Sequence, residues 1–174
     1  DEFMKITVFT ANQSRHNYLV NLLSNISEEL FVIQENIAIS SPTIPRDYPV
    51  TETMKKYFSN VIDAQKKLFG NTYINRKNKN IRIHQLELGE LNKCSLKILN
   101  NFLNSNIYIV FGSSYIKGEL VQFLVKKKAI NIHMGISPYY RGADCNFWAL
   151  YDGNSHLVGS TIHFLSKGLD SGSI

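Results

Sequence analysis

Short apolar runs rich in β-branched residues alternate with stretches of helical apolar spacing along nearly the whole chain, and this alternation most constrains the fold. Met4–Thr10 (MKITVFT) reads as a buried strand, and His16–Leu30 carries Tyr18, Leu19, Leu22, Leu23 and Ile26 at helical intervals. Strand character resumes over Phe31–Ser40 and is broken by Pro42, Pro45 and Pro49. Thr51–Phe69 is amphipathic and stops at Gly70-Asn71, a helix-ending signal. The polar, basic stretch Asn71–Asn80 reads as a loop or hairpin tip, before a strand over Ile81–Leu86. A helix over Asn92–Leu103, a strand over Ile107–Phe111, a turn at Gly112-Ser113-Ser114, a helix over Lys117–Lys127 and a strand over Ile130–His133 follow. A helix over Cys145–Asp152 and a strand over Ser160–Phe164 complete the pattern. Such alternation predicts an α/β, Rossmann-like, doubly wound and mostly parallel sheet with helices on both faces.

At 174 residues the chain is expected to form one domain over 4–174, with residues 1–3 an appended remnant ahead of Met4. No apolar run approaches membrane-spanning length, and the start is a strand rather than a basic region followed by an apolar core. Two cysteines, Cys94 and Cys145, are too few for a disulfide framework or a zinc site, which fits a reduced, cytoplasmic setting and no metal. The formal charge is +5, yet the basic residues are scattered apart from Arg76–Lys79 and the triplet Lys126–Lys128. That triplet falls where a helix should end and complements its dipole, so a nucleic-acid partner is disfavoured. The first loop, Ala11-Asn12-Gln13-Ser14, lacks the glycine spacing of a dinucleotide site.

The chemistry concentrates after Ile130. On a strand, Asn131 and His133 share a face. Gly135, Pro138, Arg141 and Gly142 punctuate the loop that follows, and the next strand ends in a turn carrying Asp170. Amide, imidazole and carboxylate at the ends of neighbouring strands describe a catalytic crevice at the carboxyl ends of a sheet. His163 alternates with Thr161 and reads as structural, Phe147 and Trp148 as core, and Cys145 as a buried, inert thiol. His16, near the first turn, is a candidate contact for a phosphate of the substrate.

At these positions the chain resembles the folate-dependent formyltransferases. The motifs are Asn131-Ile132-His133, Gly135-Ile136-Ser137-Pro138, Tyr140-Arg141-Gly142, Thr161-Ile162-His163 and Gly168-Leu169-Asp170-Ser171-Gly172. The resemblance is strong from about Ile107 to Ile174, weak over the first strand and helix, and finds no counterpart over Ser40–Asn80. Where the family has Ser-Leu-Leu-Pro this chain has Gly-Ile-Ser-Pro, so the loop wall differs. Family members continue beyond the aspartate, which predicts a C-terminally truncated domain.

The resemblance implies formyl transfer from 10-formyltetrahydrofolate to a primary amine. Asn131 would donate to the oxyanion of the tetrahedral intermediate, His133 would move protons, and Asp170 would hold the imidazole and a water. It further implies a folate pocket lined by Phe111, Gly112, Ser113, Tyr115, Ile116, Lys167 and Gly168, with backbone groups contributing. Arg141 and Gly142 either face the acceptor or close the loop.

The acceptor is expected to be an amino sugar on a nucleotide. The sequence holds no tRNA-binding domain of the kind methionyl-tRNA formyltransferases carry, and Tyr140-Arg141-Gly142-Ala143 departs from the purine enzyme. Glycinamide ribonucleotide and methionyl-tRNA are the alternative acceptors. A folate- or nucleotide-binding module without turnover is the alternative of another class, and a homodimer is left open.

Overall fold

The computed structural model describes residues 4–37 and 51–174. The proline-broken stretch and the last residues of the expected strand over Phe31–Ser40 lie outside them. Among the described residues six strands form one sheet: β1 (Lys5–Ala11), β2 (Glu29–Asn36), β3 (Ile81–Glu87), β4 (Ile107–Phe111), β5 (Ile130–His133) and β6 (Thr161–Phe164). Their order is β3-β2-β1-β4-β5-β6. The first five strands are mutually parallel, whereas β6 runs antiparallel to β5. Winding outward from β1 in both directions leaves a crevice at the carboxyl ends of β1 and β4, the usual ligand position in such sheets.

Side-chain alternation divides the core into two layers. Ile6 and Val8 of β1, Leu30 and Val32 of β2 and Ile109 of β4 pack with Val20 and Leu23 of α1 (Ser14–Ile26). On the other face Phe9, Ile33, Tyr108 and Val110 pack with Leu120, Val121 and Leu124 of α4 (Gly118–Lys126) and with Leu99. Asn131 pairs in register with Val110, so Asn131 and His133 belong to the α4 face.

The buried face of α1 differs from the apolar stripe read from the sequence. His16, Asn17, Val20, Leu23 and Ser24 are buried, while Tyr18, Leu22 and Ile26 are exposed. The polar members of this face have internal roles. Asn17 donates to the carbonyls of Asn12 and Thr72 and accepts from Gln34 at 2.9 Å. Tyr18 instead meets Phe69 of α2 (Glu52–Phe69), with ring centroids 5.3 Å apart. The helix α1 also stops at Ile26, because Glu29–Asn36 is claimed by the β2 ladder. The expected single helix over Asn92–Leu103 is split: a 3₁₀ turn at Leu91–Lys93, α3 (Leu96–Leu99) capped by the Ser95 side chain, and a second 3₁₀ turn at Asn100–Phe102. Among the described residues no helix is long and apolar enough to cross a membrane.

Candidate active site at the carboxyl end of β5

Asn131, His133 and Asp170 meet in one hydrogen-bonded cluster. Asn131 Nδ2 donates to Asp170 Oδ1 at 2.9 Å, and His133 Nδ1 lies 3.4 Å from Asp170 Oδ2. The Gly142 amide donates to the same Oδ2 at 2.8 Å. β5 is the penultimate strand rather than a central one, and Asp170 does not arrive from a parallel neighbour. After β6 the chain folds back: the Leu165 amide donates to the Ala129 carbonyl at 2.7 Å and the Phe164 amide to the Ser173 carbonyl at 2.8 Å. The segment between them carries the carboxylate back over the α4 face of β5. Asp170 holds a left-handed backbone at φ 42, a conformation short acidic and amide side chains tolerate best. At Gly172 a Cβ would stand 1.6 Å from the Phe164 carbonyl oxygen, so this return demands glycine.

Each of the two histidines in the cluster meets a backbone carbonyl. His133 Nε2 is 3.0 Å from the Tyr140 carbonyl, an acceptor, so this nitrogen carries a hydrogen. Its other nitrogen, Nδ1, faces the Asp170 carboxylate, forming a charged pair when the ring is protonated. His163, buried on β6, lies with Nδ1 2.8 Å from the Phe164 carbonyl and Nε2 3.9 Å from Asp170 Oδ1. That Nε2 is 3.2 Å from Asn131 Nδ2. The Asn131 amide nitrogen thus sits between Asp170, to which it donates, and the His163 ring. The sequence reading treated His163 as structural, whereas here it meets the candidate catalytic amide. The Thr-x-His alternation opposite Asn-x-His on the neighbouring strand is the signal that points to it.

Cys145, at the start of α5 (Cys145–Tyr151), supports the imidazole from below. Its Sγ donates to the Gly142 carbonyl at 3.3 Å and lies 3.6 Å from His133 Nε2. Burial, with the Asp170 and Asp144 carboxylates adding to it, pushes the thiol up to about 11, so it stays protonated, as expected of an inert cysteine. Gly135 is equally constrained, since a Cβ there would come within 2.5 Å of His133 Nε2 and 2.6 Å of Cys145 Cβ. Thr161 braces the loop after β5: it donates to the Gly135 carbonyl at 2.7 Å and accepts from the Ser137 amide at 3.0 Å.

The expected folate-lining residues fall into two segments that touch. The Tyr115 hydroxyl donates to the Lys167 carbonyl at 3.0 Å, joining the loop after β4 to the loop before Asp170. Gly112, Ser113, Tyr115, Lys167 and Gly168 are all at least partly accessible there. Ile116 is not a wall of this space, because its side chain is buried in the core layer beside α4. Phe111 is half-buried, and its ring meets the edge of His16, with centroids 4.9 Å apart.

His16 is in the wrong place to meet a phosphate. Its ring is buried beneath Gly112, where a Cβ would come within 2.3 Å of Nε2, and among the described residues neither ring nitrogen has a hydrogen-bond partner. Desolvation, helped by the Arg15 charge, lowers its pKa to about 3, so the ring is neutral. Arg15 itself bonds Gln65 of α2, and Arg141 is exposed near the Gly142 that Asp170 holds. Asp144, left-handed at φ 53, has its pKa raised by desolvation against an opposing pull from Arg15. A wide concavity lined by Lys5, Glu29, Arg82 and Asn101 opens at the amino ends of the strands, away from this cluster.

A sequence model of the formyl transferase family matches residues 58–174. The chain belongs to that family. The match begins upstream of the motifs and takes in part of the stretch that had no counterpart by inspection. A methionyl-tRNA formyltransferase from Desulforamulus reducens is 35% identical over 66 residues, which is 38% of this chain and 20% of the relative. The chain thus spans about a fifth of that curated relative's length. Among solved structures, phosphoribosylglycinamide formyltransferase from Anaplasma phagocytophilum superposes with a TM-score of 0.56 at 17% identity, over 98% of this chain and 69% of the other. The Streptococcus pneumoniae TIGR4 phosphoribosylglycinamide formyltransferase gives 0.55 at 19% identity, over 98% and 78%. At these identities the structures establish the shared fold.

Proposed function

We propose that this domain transfers a formyl group from 10-formyltetrahydrofolate to a primary amine, with Asn131, His133 and Asp170 carrying the chemistry. The observation that supports this reading is the convergence of those side chains: Asn131 hydrogen-bonds Asp170 across 39 positions, and His133 Nδ1 lies 3.4 Å from the same carboxylate. The two accessible segments joined by Tyr115 and Lys167 offer backbone donors and acceptors beside it for the flat pterin.

In the reaction the amine nitrogen attacks the formyl carbon, the bond to the folate nitrogen breaks, the amine loses a proton and the folate nitrogen gains one. The intermediate carries a negative oxygen. Asn131 stabilises it by turning the amide hydrogen beside His163 toward it while keeping its bond to Asp170, which holds the amide in place. His133 takes the proton the amine loses and supplies one toward the leaving nitrogen, directly or through water, with the Asp170 carboxylate facing its ring.

The acceptor we favour is an amino sugar on a nucleotide, because the Tyr140-Arg141-Gly142-Ala143 loop departs from the purine enzymes. The test is incubation with 10-formyltetrahydrofolate and a panel of aminodeoxy-sugar nucleotides, glycinamide ribonucleotide and methionyl-tRNA, read by mass spectrometry for a formyl adduct. A formylated sugar nucleotide supports the full reading. Product only from another acceptor retains the reaction and rejects the sugar, and no product from any of them rejects turnover.

A further inference from the structure

The loop from Gly112 to Lys117 has no helix or strand of its own, yet it forms one wall of the proposed folate site. Something outside it must hold its shape. Glu35, at the end of β2, is completely buried and meets the loops after β3 and β4. Its Oε2 accepts from the Ser114 amide at 2.6 Å, while its Oε1 accepts from the Ser114 hydroxyl and the Gly89 amide, each at 2.8 Å. These donors are two main-chain amides and a hydroxyl. A carboxylate so deeply buried is expensive unless such groups solvate it, and each bond to a charged group is stronger than a neutral one. Asn92 extends the same fastening, donating to the Tyr115 carbonyl at 2.8 Å and accepting from the Lys117 amide at 2.7 Å. Loops rich in unpaired main-chain groups are where ligands bind, provided a rigid scaffold sets their positions.

We propose that Glu35 is a positioning residue that holds the Gly112–Lys117 loop in its folate-receiving shape, with Asn92 fastening the loop's far end. The inference rests on the folate reading for its consequence, though the fastening itself does not. Glu35 is fully buried and bonds Ser114 and Gly89 rather than the Asn131 cluster, so its loss should weaken cofactor binding rather than slow the chemical step. E35Q is nearly isosteric and keeps one acceptor oxygen. Losing a charge-assisted bond at this carboxylate should weaken tetrahydrofolate binding by roughly tenfold. The KM for 10-formyltetrahydrofolate should rise with it, the loss in kcat/KM falling on KM. Amide exchange across 112–117 in ligand-free protein should accelerate by a similar factor. S114A, which removes one of the three bonds and leaves the carboxylate in place, should shift both readouts the same way but less, and it carries the test if E35Q does not fold. Unchanged loop exchange in a folded E35Q or S114A protein would overturn the proposal. So would faster loop exchange with unaltered folate affinity, or a loss confined to kcat. If wild-type protein binds no tetrahydrofolate, the folate reading fails and the folate-receiving role goes with it. Exchange in the variants then reports on the fastening alone.

Discussion

Lowering the pH should destabilise this domain through His16, and replacing that residue with leucine should remove the effect. An unfolded histidine binds a proton below about pH 6.5. In the native protein the same ring is buried against Phe111 and under Gly112, and its pKa is lowered to about 3. Between these values the unfolded state holds a proton that the native state lacks, so stability falls as pH drops through the window. The loss levels off below the native value. The slope is about 1.4 kcal/mol per pH unit, so from pH 8 to pH 5 this one group costs roughly 2 kcal/mol. His16→Leu keeps a similar volume and leaves no buried nitrogen without a partner. At pH 8 it forfeits only the ring contact with Phe111, worth about 1 kcal/mol. Urea unfolding of both proteins at pH 8 and pH 5 measures the difference. The variant should gain about 2 kcal/mol on the wild type between the two conditions. Parallel pH profiles would refute the argument, as would a native His16 resonance titrating near pH 6.

The catalytic reading makes its own demands. Asn131→Ala should cost on the order of a hundredfold in kcat and His133→Asn roughly a hundredfold to ten-thousandfold, with folate affinity little changed. Steady-state kinetics on single and double variants, with Asp170→Asn included, should show the losses to be non-additive; a His133 variant with near-native turnover would be fatal to the mechanism. Gly112→Ala should lower stability by about 1–3 kcal/mol, seen as a reduced Tm, because Gly112 sits at φ +69 over the His16 ring. An unaltered Tm would contradict the close approach. Cys145 is buried with its pKa raised to about 11, so a thiol reagent at pH 8 should label it only after unfolding. Rapid native labelling, located by peptide mapping, would show that the loop above it opens readily.

Much of this arrangement is legible in the sequence because it is local. Strand-forming runs and the shared face of Asn131 and His133 follow from spacing alone. The buried side of α1 was also available in principle, since His16, Val20 and Leu23 repeat at helical intervals, but hydropathy favoured Leu22 and Ile26 over a histidine. The rest depends on where the chain goes next. Nothing within Thr161–Phe164 states that β6 runs against β5, because direction is set by the connection through α5 and not by the strand residues. The burial of Ile116 depends on how α4 packs, and the partnership between Glu35 and Ser114 spans 79 positions. An acidic residue directly after the apolar run Leu30–Ile33 and Gln34 is the visible hint of a buried carboxylate at that end of the sheet.

The antiparallel strand β6 and its return make a single ruler for the whole cluster. Thr161 sets the height of the loop after β5, His163 meets the Asn131 amide two residues on, and Asp170 reaches the imidazole after the chain has doubled back. Because these marks lie on one continuous stretch of backbone, a slip of that stretch moves them together rather than singly. One residue inserted between 161 and 170 would put support, amide and carboxylate out of step at once. The surface turn at 152–158, which carries none of these marks, should absorb the same insertion.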